Sequence, residues 1–270
     1  MTHAWFEFVP LPLFVAAMLL VVFGSIEFGF RLASHFKKRR EPGATEAPIS
    51  SVIGGSLGLL GFLLAFTFGL ASSRFDARRQ LLLDEVNAIG TCHLRADFIP
   101  DAERDSVRQR LGEYVHLRAE LVQRPDTLPQ VLVRADILQH ELWEIAVRVV
   151  KREGSSETTA LFVDSLNTVI DFQTKRVAVS QYHIPGVVWL SLVVISVLSM
   201  AGVGYQFGNA GRRDLTITLL LALSFAIVIG LIADLDRNSE GALQVNQQPI
   251  LELDRQLNAA VQAQDSEGGG

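Results

Sequence analysis

Few residues in this chain are spaced for chemistry. Glu27 lies in an apolar run, where a carboxylate marks a functional position by default. Arg31 follows at i+4, and both precede the basic cluster Lys37-Lys38-Arg39-Arg40. That spacing reads as an ion pair snorkelling at a membrane interface. Asp234 and Asp236 close another apolar run, with Arg237 and Glu240 after them. They would collect cations at a mouth or hold a divalent ion. The plainer reading, a polar stop, is preferred, because calcium takes about six to eight oxygen ligands and this stretch supplies few. His93, His116, His140 and His183 are scattered. His140-Glu141-Leu142-Trp143-Glu144 begins like a zinc-protease helix, but Glu144 stands where the second histidine is needed. Cys92 is the single cysteine, so no intrachain disulfide or cysteine cage forms, and no placed base makes it a nucleophile. There is no P-loop and no dinucleotide fingerprint. The chain reads as a non-enzyme, with no cofactor and no metal expected.

The elements that carry these residues are set by charge distribution. Apolar residues are 49% and charged residues 20%, with a net charge of -5 that gives no reason to expect nucleic acid. The charge is concentrated in the middle. Val52–Ala71, Val187–Phe207 and Leu215–Ala233 are free of charge, and each is long enough to cross a hydrocarbon core of about 30 Å as a helix. Roughly Leu11 to Ala33 makes a fourth span. Its basic cluster follows the apolar run instead of preceding it, which is the reverse of a signal peptide. The expected fold is an all-α integral membrane protein: four transmembrane helices in two pairs, with a long-helix bundle domain inserted between them.

The domains read as 1–73 (first helix pair with a short basic loop), 74–185 (bundle outside the bilayer), 186–236 (second pair) and 237–270. The last is a tail with a short amphipathic helix near Pro249–Ala263 and a disordered end at Ser266–Gly270. In the bundle, apolar residues recur at helical spacing: Leu82, Val86, Ile89; Leu111, Tyr114, Val115; Leu138, Leu142, Ile145, Val149. Breaks at Pro100-Asp101, Pro125–Pro129 and Gly154–Ser156 give helices of about 74–98, 102–123, 129–152 and 157–182. Asp101 is expected to cap the second of these and Pro129 to sit in the first turn of the third. The first continues the second span without a break.

The second span carries the functional candidates. Gly54, Gly58, Gly61, Ala65 and Gly69 recur at three and four, a spacing that lets backbones approach in lipid. They pack either against the first span, the favoured reading, or around a symmetric oligomer axis. Phe62 and Phe66 sit beside the stripe one turn apart. They either pack and face lipid, the commoner case, or form an apolar ring that gates a pore by dewetting. Both short loops are rich in lysine and arginine, and the segment before Leu11 has neither. The charge rule therefore puts the loops in the cytoplasm, and the termini and bundle outside.

Leu60–Phe66, Arg74-Phe75, Arg78-Arg79, Glu85-x-Asn87-Ala88-Ile89-Gly90-Thr91 and Leu94-Arg95 resemble a family of bacterial membrane proteins labelled bestrophin-like. Asp234-Leu235-Asp236-Arg237 with Gly241 and Gln247-Gln248-Pro249 is similar to that family's end signature. Arg74, Glu85, Asn87, Arg95, Asp234, Asp236 and Arg237 are the motif residues. A more remote resemblance to bestrophins proper implies a pentameric, mostly anion-conducting channel with an apolar neck on the second span ahead of an Arg-Trp pair. Phe62 and Phe66 precede Arg74 at a similar distance, with Phe75 in the tryptophan's place. The calcium-binding acidic run of bestrophins is reduced here to Asp234 and Asp236. Bestrophins keep the helical domain in the cytosol, opposite to the charge count. Two functions follow: a homo-oligomeric ion channel in the bilayer, conducting inorganic ions, or a non-conducting envelope sensor or scaffold working through a partner.

Overall fold

The structure is a computed structural model that describes residues 9–37, 49–154, 156–180, 182–211, 214–237 and 243–267. Among these it has eight α-helices: α1 (Leu11–Lys37), α2 (Ile49–Arg95), α3 (Asp101–Gln123), α4 (Leu128–Glu153), α5 (Glu157–Ser180), α6 (Gly186–Ala210), α7 (Leu215–Asp236) and α8 (Gln248–Glu267). No strand occurs among the described residues. The basic residues Lys38–Arg40, Arg212 and Arg213, together with Gly241 and Gly268–Gly270, lie outside the described residues.

The chain divides into two compact units, Met1–Asp76 with Tyr182–Gln244, and Ala77–Gln181 with Val245–Gly270. Helix α2 is continuous for 47 residues and belongs to both. A bilayer needs about 20, so only the charge-free 52–71 stretch is the crossing part; Arg74, Asp76, Arg78 and Arg79 follow it.

In the first unit α1, α6, α7 and the start of α2 are the four apolar helices long enough to span. Their core joins Phe14, Met18, Val22 and Ile26 to Trp189, Leu192 and Met200 and to Ile229, Ile232 and Ala233. Phe14 meets Trp189 edge to face, with ring centroids 5.9 Å apart. Lipid tails are as apolar as these side chains, so close packing must hold the helices together. Glycine supplies it at the α1–α6 seam: a Cβ on Gly29 would strike the Ala201 carbonyl, and one on Gly204 the Ile26 carbonyl. Spare hydroxyls bond backward along their own helices: Ser25 to the Val21 carbonyl, Thr67 to Leu63 and Ser196 to Leu192, each at 2.7 Å.

The second unit packs the rest of α2 with α3, α4, α5 and α8 around Ile89, Leu111, Tyr114, Leu138, Leu142, Phe162, Leu166 and Ile250. Helix α8 is part of this core through Ile250, Leu253 and Leu257. It runs to Glu267, longer than the tail helix expected from sequence. Asp101 does not cap α3. Pro100 occupies the cap position without a side-chain bond, and Asp101 and Glu103 sit in the first turn, where their charge suits the helix dipole. Gly154 ends α4 at φ +77°, a left-handed value that favours glycine. Ser156 then opens α5 by accepting the Thr159 N–H at 3.1 Å.

Candidate functional site

The crossing part of α2 presents two unlike faces. Its buried residues are Ile53, Leu60, Leu64, Thr67 and Ala71, spaced seven, four, three and four apart. At about 100° per residue they form one narrow stripe. The start of that stripe meets α6: the Ser199 hydroxyl donates to the Ser56 carbonyl at 3.2 Å, and a Cβ on Gly202 would lie 3.2 Å from Ile53 Cγ1.

Phe62 and Phe66 lie about 200° around the helix from that stripe, pointing away from the chain's own core. They are 66% and 55% exposed. Their rings stack on each other with centroids 6.4 Å apart and planes inclined by 19°. Between the two faces, about 120° from the packed stripe, run Gly54, Gly58, Gly61 and Ala65.

The favoured packing of these glycines against the first span is not what the chain makes. A Cβ on Gly54, Gly58, Gly61 or Gly69 would meet nothing within 4 Å. The close approaches belong to Gly29, Gly204 and Gly208, and to Gly230, where Val15 Cγ2 would lie at 2.6 Å. The sequence places small residues on several helices at helical spacing. Only the fold selects which of them face a neighbour.

Gly54-Gly55-Ser56-Leu57-Gly58 also spells the nucleophile-elbow pattern, which the sequence reading passed over. Its context is wrong for that chemistry: Ser56 lies inside a helix, and its hydroxyl donates to the Ile53 carbonyl at 3.0 Å.

The motif residues fall into two groups. In the first unit, Asp236 is fully buried, and both its oxygens accept the Ile184 N–H, at 3.0 and 3.2 Å. His183 Nδ1 lies 3.3 Å from the Asp236 carbonyl oxygen. Asp234 accepts the Leu243 N–H at 3.0 Å, and the Arg237 guanidinium donates to the Val9 carbonyl. The Arg74 guanidinium lends positive charge near Asp236. These carboxylates face inward and hold backbone, as a polar stop with structural duties. Glu27 is likewise engaged, accepting Arg31 Nε at 2.8 Å.

In the second unit Glu85 is fully buried. One oxygen accepts Arg176 Nη1 at 2.9 Å, the Tyr114 hydroxyl at 3.2 Å and Arg118 Nε at 3.3 Å; the other accepts Arg118 Nη2 at 3.3 Å. Burial pushes the Glu85 carboxyl up, and Arg176 and the Tyr114 hydroxyl pull it back. Burial beside Glu85 pushes the Tyr114 phenol up as well. Sequence reasoning missed this cluster, although a signal existed. Glu85 falls on the stripe Leu82, Ile89, Cys92, Ala96, all buried, and a carboxylate in an apolar stripe requires a buried cation. Arg95 donates to the Leu161 carbonyl at 2.9 Å. Asn87 is exposed.

A family model described as the bestrophin-like domain matches residues 18–250. The chain belongs to the bestrophin-like family. Its fold is also that of solved relatives. A bacterial bestrophin homologue from Klebsiella pneumoniae, in a point-mutant form, matches at TM-score 0.66 and 12% identity, over 90% of this chain and 97% of that one. A second mutant form matches at 0.64 and 16%, over 91% and 97%. A further crystal structure of the Klebsiella homologue matches at 0.60 and 15%, over 90% and 96%. At such identities the likeness carries the fold and not the chemistry. Comparison with curated proteins gives no significant match.

Proposed function

We propose that this bestrophin-like protein is a homo-oligomeric ion channel of the bacterial inner membrane, with α2 helices gathered round a symmetry axis and Phe62 and Phe66 as the apolar neck. The observation that carries the reading is the direction of the two rings. They stack on each other on the face opposite the helix's own packing stripe. Rings of such side chains around an axis make a constriction that gates by dewetting. Gly54, Gly58 and Gly61, free of contact within the chain, are then left for a neighbouring copy. The bestrophins that the chain resembles line their pore with apolar residues of the same span.

For sidedness we retain the lysine and arginine count, with the short loops cytoplasmic and the bundle outside. The resemblance to bestrophins implies the reverse. An impermeant thiol reagent on intact cells decides it, using Gln109→Cys, an exposed bundle position. Native Cys92 is a silent background, because it is fully buried and burial pushes its thiol up to about 11. Labelling of Gln109→Cys supports the outside assignment; labelling only after permeabilisation reverses it.

The function is tested by flux from liposomes holding the purified protein, with potassium and chloride gradients run separately. Flux above empty liposomes is expected, with increased leak in the Phe62→Ala, Phe66→Ala double variant. Wild-type flux in that variant removes the neck assignment. No flux of either ion through folded, inserted protein replaces the channel with a module that works through a partner.

A further inference from the structure

The bundle has a concavity that the channel reading does not use. It lies between α4 and α5, has a volume of about 270 Å³, and is lined by Asp136, Gln139, His140, Trp143, Asn167 and Ile170. The α4 residues fall three and four apart, on one stripe of the helix, and the two α5 residues sit three apart.

The polar groups here differ from those elsewhere on the bundle. Several acids elsewhere on the bundle are committed: Asp97 to Arg108 at 2.8 Å, Glu103 to Arg152 at 2.7 Å, Glu113 to Arg134 at 3.1 Å and Glu141 to Arg110 at 2.8 Å. Arg134, two residues before Asp136, is thereby held on the α3 carboxylate of Glu113. Asp136, His140 and Asn167 make no side-chain hydrogen bond or ion pair with any described residue. Gln139 is 8% exposed, and its side-chain amide is engaged inside the core by the Tyr114 hydroxyl. Trp143 leaves 41% of its surface open. A concave site with an aromatic wall and a few convergent, uncommitted polar groups is the usual form of a small-ligand site.

We propose that the α4–α5 groove binds a small organic cation, with the Asp136 carboxylate as its counter-ion and the indole of Trp143 as its π face. The lining holds one carboxylate and no lysine or arginine, so the site selects positive charge. An indole attracts a cation placed over its ring, most strongly for soft, weakly hydrated ammonium groups. Ile170 offers an apolar surface to the methyl or methylene groups of such a ligand. Calcium is the wrong guest, because one carboxylate and two amides fall short of the about six to eight oxygens it requires.

The test uses calorimetric titration of the full-length protein in nanodiscs with choline chloride and with tetramethylammonium chloride. Sodium chloride at matched ionic strength and sodium acetate serve as controls. Saturable binding of both cations in the millimolar range or tighter is expected. Asp136→Asn and Trp143→Leu should each weaken it by about tenfold or more, a difference of about 1.4 kcal/mol. Both positions are exposed, so both variants should melt as wild type does, which separates lost binding from lost folding. Asp105→Asn on α3 should bind normally. Heat no greater than that of sodium chloride overturns the proposal, as does wild-type affinity in Asp136→Asn. The readout is independent of ion flux, so a failed pore assignment leaves this result standing.

Discussion

Replacing Glu85 by alanine removes the anion shared by three helices of the bundle. Arg118 and Arg176 keep 9% and 19% of their side-chain surface exposed. After the substitution, two guanidiniums face each other across a core from which the counter-charge has gone. Breaking a buried ion pair by deleting one partner costs about 3–5 kcal/mol, most of it the penalty of an uncompensated charge. The Tyr114 hydroxyl also loses its acceptor, adding about 1 kcal/mol. On a domain of this size such a loss lowers the melting point by roughly 10 °C or more. The assay is thermal melting of the detergent-solubilised protein, at one scan rate for all variants because unfolding is expected to be irreversible. Glu85→Gln should fall between wild type and Glu85→Ala, since an amide oxygen still accepts one guanidinium. The triple change Glu85→Leu, Arg118→Met, Arg176→Met should recover much of the loss, because apolar groups of similar size can replace a buried ion cluster. Glu103→Ala is the surface control: its partner Arg152 is 53% exposed, so the change costs about 1 kcal/mol or less. A Glu85→Ala protein that melts like Glu103→Ala would refute the argument, because the cluster would then be solvated and not a buried interlock.

Four further outcomes follow from the same geometry. Gly204→Ala should destabilise the membrane unit by about 1–3 kcal/mol in an SDS-unfolding assay, since its Cβ strikes the Ile26 carbonyl. Gly58→Ala and Gly61→Ala, which meet nothing within 4 Å, should leave the monomer's stability unchanged; lost oligomer on native mass spectrometry would then place them at the contact between copies. For pH, the Cys92 thiol is raised from 9.0 to about 11 in the folded bundle. The unfolded chain therefore ionises first, and Cys92's contribution is complete below pH 9.0 and lost as pH rises towards about 11. That loss approaches about 3 kcal/mol, and Cys92→Ala should flatten this limb of the melting profile; an unchanged slope rejects it. Asp236→Ala should cost about 1–3 kcal/mol by orphaning the buried Ile184 N–H, with Asp236→Asn recovering part of it in the same melt.

Much of the architecture was legible in the chain because its causes are local. Hydrocarbon disfavours charge and unpaired backbone, so three spans announced themselves as charge-free runs and the first as an apolar run interrupted only by Glu27 and Arg31. Helix ends in the bundle followed from Pro100, Pro129 and Gly154, which act on their own neighbours. The continuity of α2 followed from the lack of any proline between Val52 and Arg95. The Glu27–Arg31 pair lay one helical turn apart. Partners distant in sequence were decided by tertiary structure alone. Glu85 meets Arg118 at a separation of 33 residues and Arg176 at 91, and Asp236 meets Ile184 at 52. Helical period shows which face a residue occupies but not which helix covers that face. For the same reason the spacing of Gly54, Gly58 and Gly61 matched that of packing glycines, while the contact went to Gly29 and Gly204. The tail helix α8 joined the bundle because the stripe Ile250, Leu253, Leu257 found a complementary core there. Side-chain period is a property of one helix; burial is a property of two, and only the fold supplies the second.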